Sequence, residues 1–362
     1  MKTAAATFLA MAVATTASVS LLSQIPGDDR QDRTQDELRA IQDDADVNRK
    51  PIHDVQVSQL LSHGRSNLRL LGRTCDEDRV EKFQITQTTK GLPVYGYKLS
   101  KEGNSGKALY FQAMQHAREW VAGSSTLYAL SSFLDDVAND QPTPLDNYNL
   151  YFVPVVNRDG YQKTWSGKRY QRKNGNEVDL NRNWPNTNPN PRPESPTSET
   201  YPGPYKLSEN ETQGIDTWLS SKSDEIDGSI DVHTYAGLIL YAYGDTDEAS
   251  PDEAKFDTLG EAMKAVMGNY VQEPAWKLYF AYGVYPDYAY RTFGKPSITI
   301  EMVGTDFVAP ASTIRSRGEE LKKGLVEFAN QVPSFVGSDE PTDDDQPTDD
   351  EPSDDVFVGR IV

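Results

Sequence analysis

The chain has 362 residues, 37% of them hydrophobic, and a formal net charge of −19. This length allows one large α/β domain or two smaller ones with a substantial core. The acidic balance disfavours contact with nucleic-acid phosphates, and no stretch after the N-terminal leader is apolar enough to span a bilayer. We expect a monomer with neither a nucleic-acid partner nor a membrane partner.

The N-terminus resembles a secretory signal peptide. Met1-Lys2 precedes an apolar run rich in Ala and Thr, and small residues near Ala17 suit cleavage. We assign residues 1–23 to this signal peptide and the polar residues 24–52 to an N-terminal extension. A secreted, extracellular protein is expected, and an ordinary N-terminal helix is the alternative for the leader.

Apolar strands alternate with helices over residues 53–335, which we assign to one domain. The predicted strands cover residues 83–85, 94–99, 107–114, 149–156, 229–232 and 297–302. The predicted helices cover residues 120–138, 208–221, a segment that starts at 250, and 311–332. The third helix starts with Ser250-Pro251-Asp252-Glu253, the pattern of a capping box with Pro at the first helical position. This alternation predicts an α/β fold with a mixed sheet that is covered on both faces.

Two of the four histidines stand where one metal ion could collect them. His116 opens a His-x-x-Glu motif with Glu119, on the turn between a predicted strand and a predicted helix, and His233 follows another predicted strand. An imidazole and a carboxylate at this spacing can share a metal, and a distant histidine completes a three-ligand site with a position left for water. In open α/β sheets, ligands bind at such strand ends. The pattern predicts a catalytic zinc site.

Glu301 ends a predicted strand that is otherwise apolar and β-branched. A carboxylate in such a strand is costly to bury unless it is paired or used. Its position therefore indicates a functional role, with a solvent-facing Glu on an edge strand as the alternative.

Five short motifs follow one another along the chain. They are His-Ala-Arg-Glu-Trp at 116–120, Val-Asn-Arg-Asp-Gly-Tyr at 156–161, Asp-Leu-Asn-Arg-Asn-Trp at 179–184, Ser-Glu-Thr-Tyr at 198–201 and Ile-Thr-Ile-Glu at 298–301. In this order and spacing the chain resembles the zinc metallocarboxypeptidases, specifically the carboxypeptidase A/B-like group, over about residues 83–328. One departure is Arg158, where the family usually has Pro in a turn.

The resemblance implies an α/β/α sandwich with a central mixed, mostly parallel twisted sheet. It also implies one Zn²⁺ per chain, held by His116, Glu119 and His233. The implied reaction is hydrolysis of the C-terminal peptide bond of peptides or proteins. In the family, the residue that matches Glu301 is the general base, which takes a proton from the attacking water and passes it to the leaving amine.

Further residues match the family's substrate-binding positions. Arg172 corresponds to the Arg that polarises the scissile carbonyl and stabilises the oxyanion. Asn181 and Arg182 correspond to the pair that binds the terminal carboxylate, in agreement with the bidentate grip that Arg offers. Arg118 is expected to add positive potential at the peptide entrance.

The substrate pocket is matched by counting back from Glu301 without a gap. This register places Tyr279 where the family has its capping Tyr and Pro286 at the base of the specificity pocket. Basic-specific relatives have Asp at that base, so we expect a preference for apolar or aromatic C-terminal residues. Asp287 and Asp245 are close in register, and a small shift would bring a carboxylate into the pocket.

Residues 336–362 are predicted to form an acidic, disordered tail. Residues 338–355 carry ten acidic side chains and no basic one, so this segment repels itself and has little to bury. A solvated spacer is the simpler interpretation and a dedicated binding function is the alternative.

Two other functions are compatible with the same fold. A zinc amidase or deacylase would keep the metal but could do without the Asn181-Arg182 pair, and a catalytically dead peptide-binding protein would have lost Glu301.

Many members of the group carry a folded prodomain over the active site. Residues 24–52 leave no room for one, so we expect activity without added protease.

Overall fold

The computed structural model describes residues 80–192 and 194–337. The predicted signal peptide, the N-terminal extension, the start of the predicted domain and residues 338–362 of the predicted tail lie outside the described residues.

Eight strands form one mixed sheet in the described part of the chain. They are β1 (Val80–Gln87), β2 (Pro93–Leu99), β3 (Ala108–Ala113), β4 (Asn149–Val153), β5 (Ile226–Thr234), β6 (Leu238–Tyr241), β7 (Val271–Pro274) and β8 (Ser297–Met302). Their order across the sheet is β1-β2-β4-β3-β5-β8-β6-β7. The pairs β3–β4, β3–β5, β5–β8 and β6–β7 are parallel, and the other three pairs are antiparallel. The predicted mixed, mostly parallel sheet is confirmed.

Six helices accompany this sheet within the described ranges. They are α1 (Trp120–Ala138), α2 (Arg158–Trp165), α3 (Asn210–Ser220), α4 (Glu253–Met267), α5 (Tyr285–Phe293) and α6 (Ile314–Val336). The last helix therefore includes residue 336, which the sequence assigned to the tail. Judged by length and apolarity, none of the described helices could cross a membrane.

Strand β3 illustrates how the sheet separates two apolar cores. Leu109 and Phe111 belong to the larger core, together with residues of α1, α4 and α6. Ala108 and Tyr110 belong to the second core, together with residues of α3 and α5. Because successive strand side chains point to opposite faces, the sheet has a helix layer on each side. This confirms the α/β/α sandwich.

The start of α4 differs from the prediction. The helix begins at Glu253, and the Ser250 hydroxyl is buried without a hydrogen-bond partner. The main chain closes the turn instead, since Glu253 N donates to Ser250 O at 3.1 Å. The predicted capping box is therefore wrong, and Pro251 precedes the helix rather than opening it.

Strands β3, β5 and β8 bring the candidate site residues to one edge of the sheet. These three strands are neighbours and run parallel, so their carboxyl ends meet at the same edge. Just after β3, Met114 has a φ of 59°. This left-handed conformation is uncommon for a residue other than glycine. It marks the turn that leads into the His-x-x-Glu motif and α1.

A further polar cluster lies at the first turn of α3. Glu211 is fully buried, and its Oε1 has no hydrogen-bond partner. Burial raises the pKa of Glu211 to about 7, and the nearby carboxylates of Asp159 and Glu209 act in the same direction. Between its ordinary pKa of 4.5 and this value, the folded protein holds a proton that the unfolded chain releases. The free energy of unfolding therefore falls as the pH rises through this window.

We expect Glu211→Gln to remove this pH dependence, because the amide carries no titrating proton. Relative to the wild type, the variant should gain about 3 kcal/mol in free energy of unfolding between pH 4.5 and pH 8. Urea unfolding at several pH values measures this difference. The exposed Glu81 offers a matched control, Glu81→Gln, which should show no such gain. If Glu211→Gln and the wild type differed in free energy of unfolding by the same amount at all pH values, the raised pKa assigned to Glu211 would be contradicted.

Candidate active site

Three buried side chains cluster at the carboxyl edge of the sheet. Glu119 Oε1 lies 2.8 Å from His116 Nδ1, and Glu119 Oε2 lies 2.9 Å from His233 Nδ1. The two Nδ1 atoms are 3.1 Å apart. Burial opposes ionisation of Glu119, but the two imidazoles outweigh it and hold the pKa of this carboxyl well below its usual range. The structure thus brings together the three metal donors that the sequence predicted.

Glu119 is positioned by the start of α1. It is the residue immediately before the helix, and its N–H donates to His116 O at 3.2 Å. A negative charge is favourable at a helix N-terminus. Glu119 Oε2 also accepts a hydrogen bond from Thr234 N on β5, at 3.2 Å. The helix and the central strand therefore fix the carboxylate between the two histidines.

The outer nitrogens of both histidines face buried carboxylates. His116 Nε2 lies 3.0 Å from Asp179 Oδ1, and His233 Nε2 lies 2.7 Å from Asp231 Oδ2. An Nε2–H that donates to a carboxylate leaves the Nδ1 lone pair free for a metal. Both imidazoles are therefore held with Nδ1 turned toward Glu119.

Glu301 lies directly beside His233, since the two residues pair in the parallel register of β5 and β8. Ile298 and Ile300 face the larger core, so alternation turns Glu301 to the opposite face. Burial raises the pKa of the half-buried Glu301 to about 7, which suits proton exchange near neutral pH. Strand β8 lies between β5 and β6. The alternative of an edge-strand Glu is therefore wrong.

Arg172 is fixed by the carboxylate that also orients His116. Its Nε and Nη2 atoms lie 2.9 and 2.7 Å from Asp179 Oδ2. Burial opposes ionisation of Asp179, but Arg172 and His116 outweigh it and hold its pKa well below the usual range. The Asp179 carboxylate thus fixes the Arg172 guanidinium relative to the metal donor His116.

Asn181 and Arg182 lie in a short 3-10 turn, and Asn181 contacts the metal donor His233. Asn181 Nδ2 is 3.3 Å from His233 Nε2. Arg182 is buried and donates through Nη2 to Tyr279 OH at 3.1 Å, while Tyr279 is 53% exposed. The predicted carboxylate-binding pair and the predicted capping Tyr therefore meet beside the metal donors, with Tyr279 at the solvent side.

Pro286 is buried in the first turn of α5. The helix start is tied to the site, because Tyr285 N donates to Asn181 Oδ1 at 2.9 Å. Upstream, Gly283 has a φ of +73°, and a Cβ there would lie 2.3 Å from Arg182 O. Only glycine permits this close approach of the two backbones. Pro286, which the sequence register placed at the base of the specificity pocket, therefore belongs to a segment packed against the Asn181-Arg182 turn.

Two buried carboxylates near Pro286 already have partners. Asp245 contacts Arg291 through two hydrogen bonds of 2.6 and 2.7 Å. Asp287 accepts from Gly244 N at 2.8 Å, and burial raises the pKa of Asp287 to about 7. Neither carboxylate is left as a free anion for a cationic side chain.

Arg118 lies at the rim of the site. Its Nη1 donates to Glu199 Oε2 at 3.2 Å, and its guanidinium lies 4.1 Å from the centre of the Phe307 ring. The Glu199 side chain is 65% exposed, so this ion pair is open to solvent and to competition from a charged ligand. The charge of Arg118 is therefore partly balanced, and its role at the peptide entrance stays a prediction.

Comparison with known proteins agrees with this geometry. A sequence profile of the zinc carboxypeptidases matches residues 69–324. The chain belongs to the zinc carboxypeptidase family. Carboxypeptidase A1 of Rattus norvegicus is 32% identical over 268 residues, covering 68% of this chain and 64% of the relative. Carboxypeptidase B of Astacus astacus is 31% identical over 255 residues, covering 65% of this chain and 84% of the relative. Relatives of the family thus include both A and B types.

Two solved structures have a similar fold. Bovine thrombin-activatable fibrinolysis inhibitor, in complex with tick carboxypeptidase inhibitor, matches with a TM-score of 0.67 and 27% identity, covering 77% of this chain and 97% of that one. Carboxypeptidase A from Helicoverpa armigera matches with a TM-score of 0.68 and 24% identity, covering 78% and 73%. The chain spans 64% of the length of the rat and bovine carboxypeptidase A1 relatives.

The metal of the zinc carboxypeptidase family fits the donors of this chain. Two imidazole nitrogens and one carboxylate oxygen are the set that catalytic zinc prefers, and one such atom from each residue lies within 4.8 Å of the others. Burial of all three side chains and the carboxylates behind both imidazoles also suit a bound cation. Among the residues that the structure describes, this is the one group of three with such spacing.

Sequence reasoning missed the two carboxylates behind the histidines. Asp179 opens a motif that was assigned to substrate binding alone. Asp231 precedes His233 by two residues on β5, so both side chains point to the same face of the sheet. The two-residue spacing on a predicted strand could therefore have indicated that Asp231 contacts His233. The partner of His116, in contrast, comes from 63 residues away in the chain.

Proposed function

We propose that the chain is a secreted, zinc-dependent carboxypeptidase that hydrolyses the C-terminal peptide bond of peptides or proteins and prefers apolar or aromatic C-terminal residues. The observation that carries the proposal is the register of β5 and β8, which sets Glu301 beside the buried His-Glu-His donor set. The leader at residues 1–23 supports secretion.

Glu301 is assigned as the general base and then the general acid. His116, Glu119 and His233 would hold a zinc ion, which would polarise the scissile carbonyl as a Lewis acid and lower the pKa of water. Glu301 takes the proton that the attacking water loses as the new C–O bond forms. It returns this proton to the nitrogen of the leaving amino acid as the C–N bond breaks.

Arg172 is assigned to the oxyanion. Its two contacts with Asp179 hold the guanidinium in a fixed orientation beside the donor set. A cation that is already in place costs little reorganisation when negative charge develops on the carbonyl oxygen. Asp179 therefore supports the reaction indirectly, through both Arg172 and His116.

Asn181 and Arg182 are assigned to the terminal carboxylate of the substrate. The buried Arg182 guanidinium has donors for a carboxylate beyond its contacts with Asn181 O and Tyr279 OH. A charge-assisted pair of this kind is strong because both groups are withdrawn from water. This pair limits cleavage to the last residue of a chain.

Removing one metal donor is expected to abolish zinc binding and activity together. In His233→Ala, two donors remain, so zinc affinity should fall by more than the ~10–100-fold typical of losing an outer partner. Metal analysis and release of the last residue from an N-blocked peptide test this. Wild-type protein should bind one zinc, lose activity to a chelator and regain it with zinc. An active, metal-free wild type would refute the proposed function.

Peptides that end in Phe or Leu should be cleaved better than peptides that end in Lys or Arg. The pairing of Asp245 with Arg291, and of Asp287 with backbone amides, supports this preference, since burying an unpaired cation is costly. We expect a difference in kcat/KM of at least about tenfold. The measurement uses peptides that differ only in their last residue.

The matched variant for this comparison is Pro286→Asp. It adds a carboxylate at the position where basic-specific relatives have one. The difference in kcat/KM between peptides that end in Phe or Leu and peptides that end in Lys or Arg should therefore become smaller or change sign. A wild-type preference for Lys or Arg would mean that Asp245 or Asp287 faces the pocket.

A further inference from the structure

Asp231 accepts three hydrogen bonds in a buried network behind the metal donors. Its Oδ2 accepts from His233 Nε2 at 2.7 Å and from Gln115 Nε2 at 2.5 Å. Its Oδ1 accepts from Gln112 Nε2 at 3.2 Å. Asp231 and both glutamines have no exposed surface. Water therefore does not compete for these bonds.

The outer members of the network determine which groups donate. Trp184 Nε1 contacts Gln115 Oε1 at 2.9 Å. An indole N–H can only donate, so Gln115 accepts through its oxygen and turns its NH₂ toward Asp231. Gln112 Oε1 accepts from Tyr110 OH at 2.9 Å, which turns its NH₂ toward Asp231 in the same way. The network thus requires an acceptor at position 231.

This requirement extends to the imidazole of His233. Two groups face His233 Nε2, the Asp231 carboxylate at 2.7 Å and the Asn181 amide nitrogen at 3.3 Å. The carboxylate is nearer and charged, so it favours the tautomer with the proton on Nε2, which leaves the Nδ1 lone pair facing His116 and Glu119. The negative charge of Asp231 also makes the imidazole a stronger donor to a cation. Asp179 has the same relation to His116, but Arg172 balances its charge. In the described ranges, no Lys or Arg forms an ion pair with Asp231.

We propose that Asp231 is a positioning residue for His233, and that the network of Tyr110, Gln112, Gln115 and Trp184 sets its zinc affinity through this carboxylate. The inference rests on the zinc site of the proposed function. It assigns to Asp231 a part in holding the metal, without contact with the substrate.

The test compares zinc affinity of Asp231→Asn and wild-type protein by competition with a chromogenic chelator. Asn brings an NH₂ into a site that needs only acceptors, so affinity should fall by about 10–100-fold. The matched control is Asp159→Asn, a buried Asp that accepts hydrogen bonds from Thr88, Thr89 and Lys90 N rather than from a metal donor. The control should keep wild-type zinc affinity. Equal zinc affinity of Asp231→Asn and the wild type would overturn the inference.

A second measurement uses the wild type and so does not depend on the folding of a variant. In zinc-loaded protein with ¹⁵N-labelled histidine, the His233 ring should show a hydrogen-bonded Nε2–H and a metal-bound Nδ1 in its NMR spectrum. The signal is assigned by its absence from His233→Ala. A proton on Nδ1, or metal on Nε2, would overturn the inference while leaving the proposed function standing. A wild type that binds no zinc would overturn both.

Discussion

Replacement of Glu301 by Gln is expected to lower kcat by at least about a hundredfold, the usual scale for a general base, while one zinc per chain stays bound. The amide has nearly the same shape as the carboxylate but cannot take up the proton of the attacking water. Glu301 is not one of the three donors, so the metal content should not change. Turnover kinetics and metal analysis on the same preparation measure both quantities.

The control for this variant is a second carboxylate at the same site. Glu199 lies at the exposed rim, where it pairs with Arg118. Glu199→Gln should change kcat by no more than a few-fold, because a solvent-exposed ion pair contributes little. Near-normal turnover of Glu301→Gln would show that the proton is carried by another group. A loss of zinc from this variant would show that Glu301 helps to hold the metal.

Replacement of Arg182 by Ala is expected to lower kcat/KM on a free-acid peptide by about a hundredfold or more. The substrate carboxylate would then be buried without its charged partner, which costs a few kcal/mol. Tyr279 would also lose its hydrogen bond from Arg182. Steady-state kinetics on one N-blocked peptide give the value.

Arg317 on α6 serves as the matched Arg for this experiment. It pairs with Glu320 on the same helix, so Arg317→Ala should leave kcat/KM near the wild-type value. Equal, small effects of the two substitutions would contradict the assignment of Arg182 to the terminal carboxylate.

The sheet and the metal donors could be predicted because their signals are local. Residues 120–138 and 297–302 have the predicted bounds, since a long amphipathic run and a short β-branched run leave few alternatives. His116 and Glu119 lie in one turn, and strand ends are where open α/β sheets bind ligands. His233 follows another predicted strand, so the same rule placed it at the edge where it joins them, and the family resemblance agreed.

Features that depend on distant partners could not be predicted. The contact between His116 and Asp179, and the pairing of Asp245 with Arg291, join residues far apart in the chain. Ser250 shows the opposite case, in which a local capping signal is overridden because the main chain closes the turn. A local sequence pattern predicts which interactions a side chain can form, but tertiary packing determines which partner it contacts.

The most direct test of the proposed carboxypeptidase activity compares wild-type cleavage of one peptide with a free C-terminal carboxylate and the same peptide with an amidated C-terminus. An amidated end offers Arg182 no anion, so kcat/KM should fall by about a hundredfold or more. Arg182→Ala should barely affect cleavage of the amidated peptide, because two groups in direct contact act non-additively. Equal cleavage of the free and amidated peptides by the wild type would contradict the exopeptidase assignment and favour an amidase.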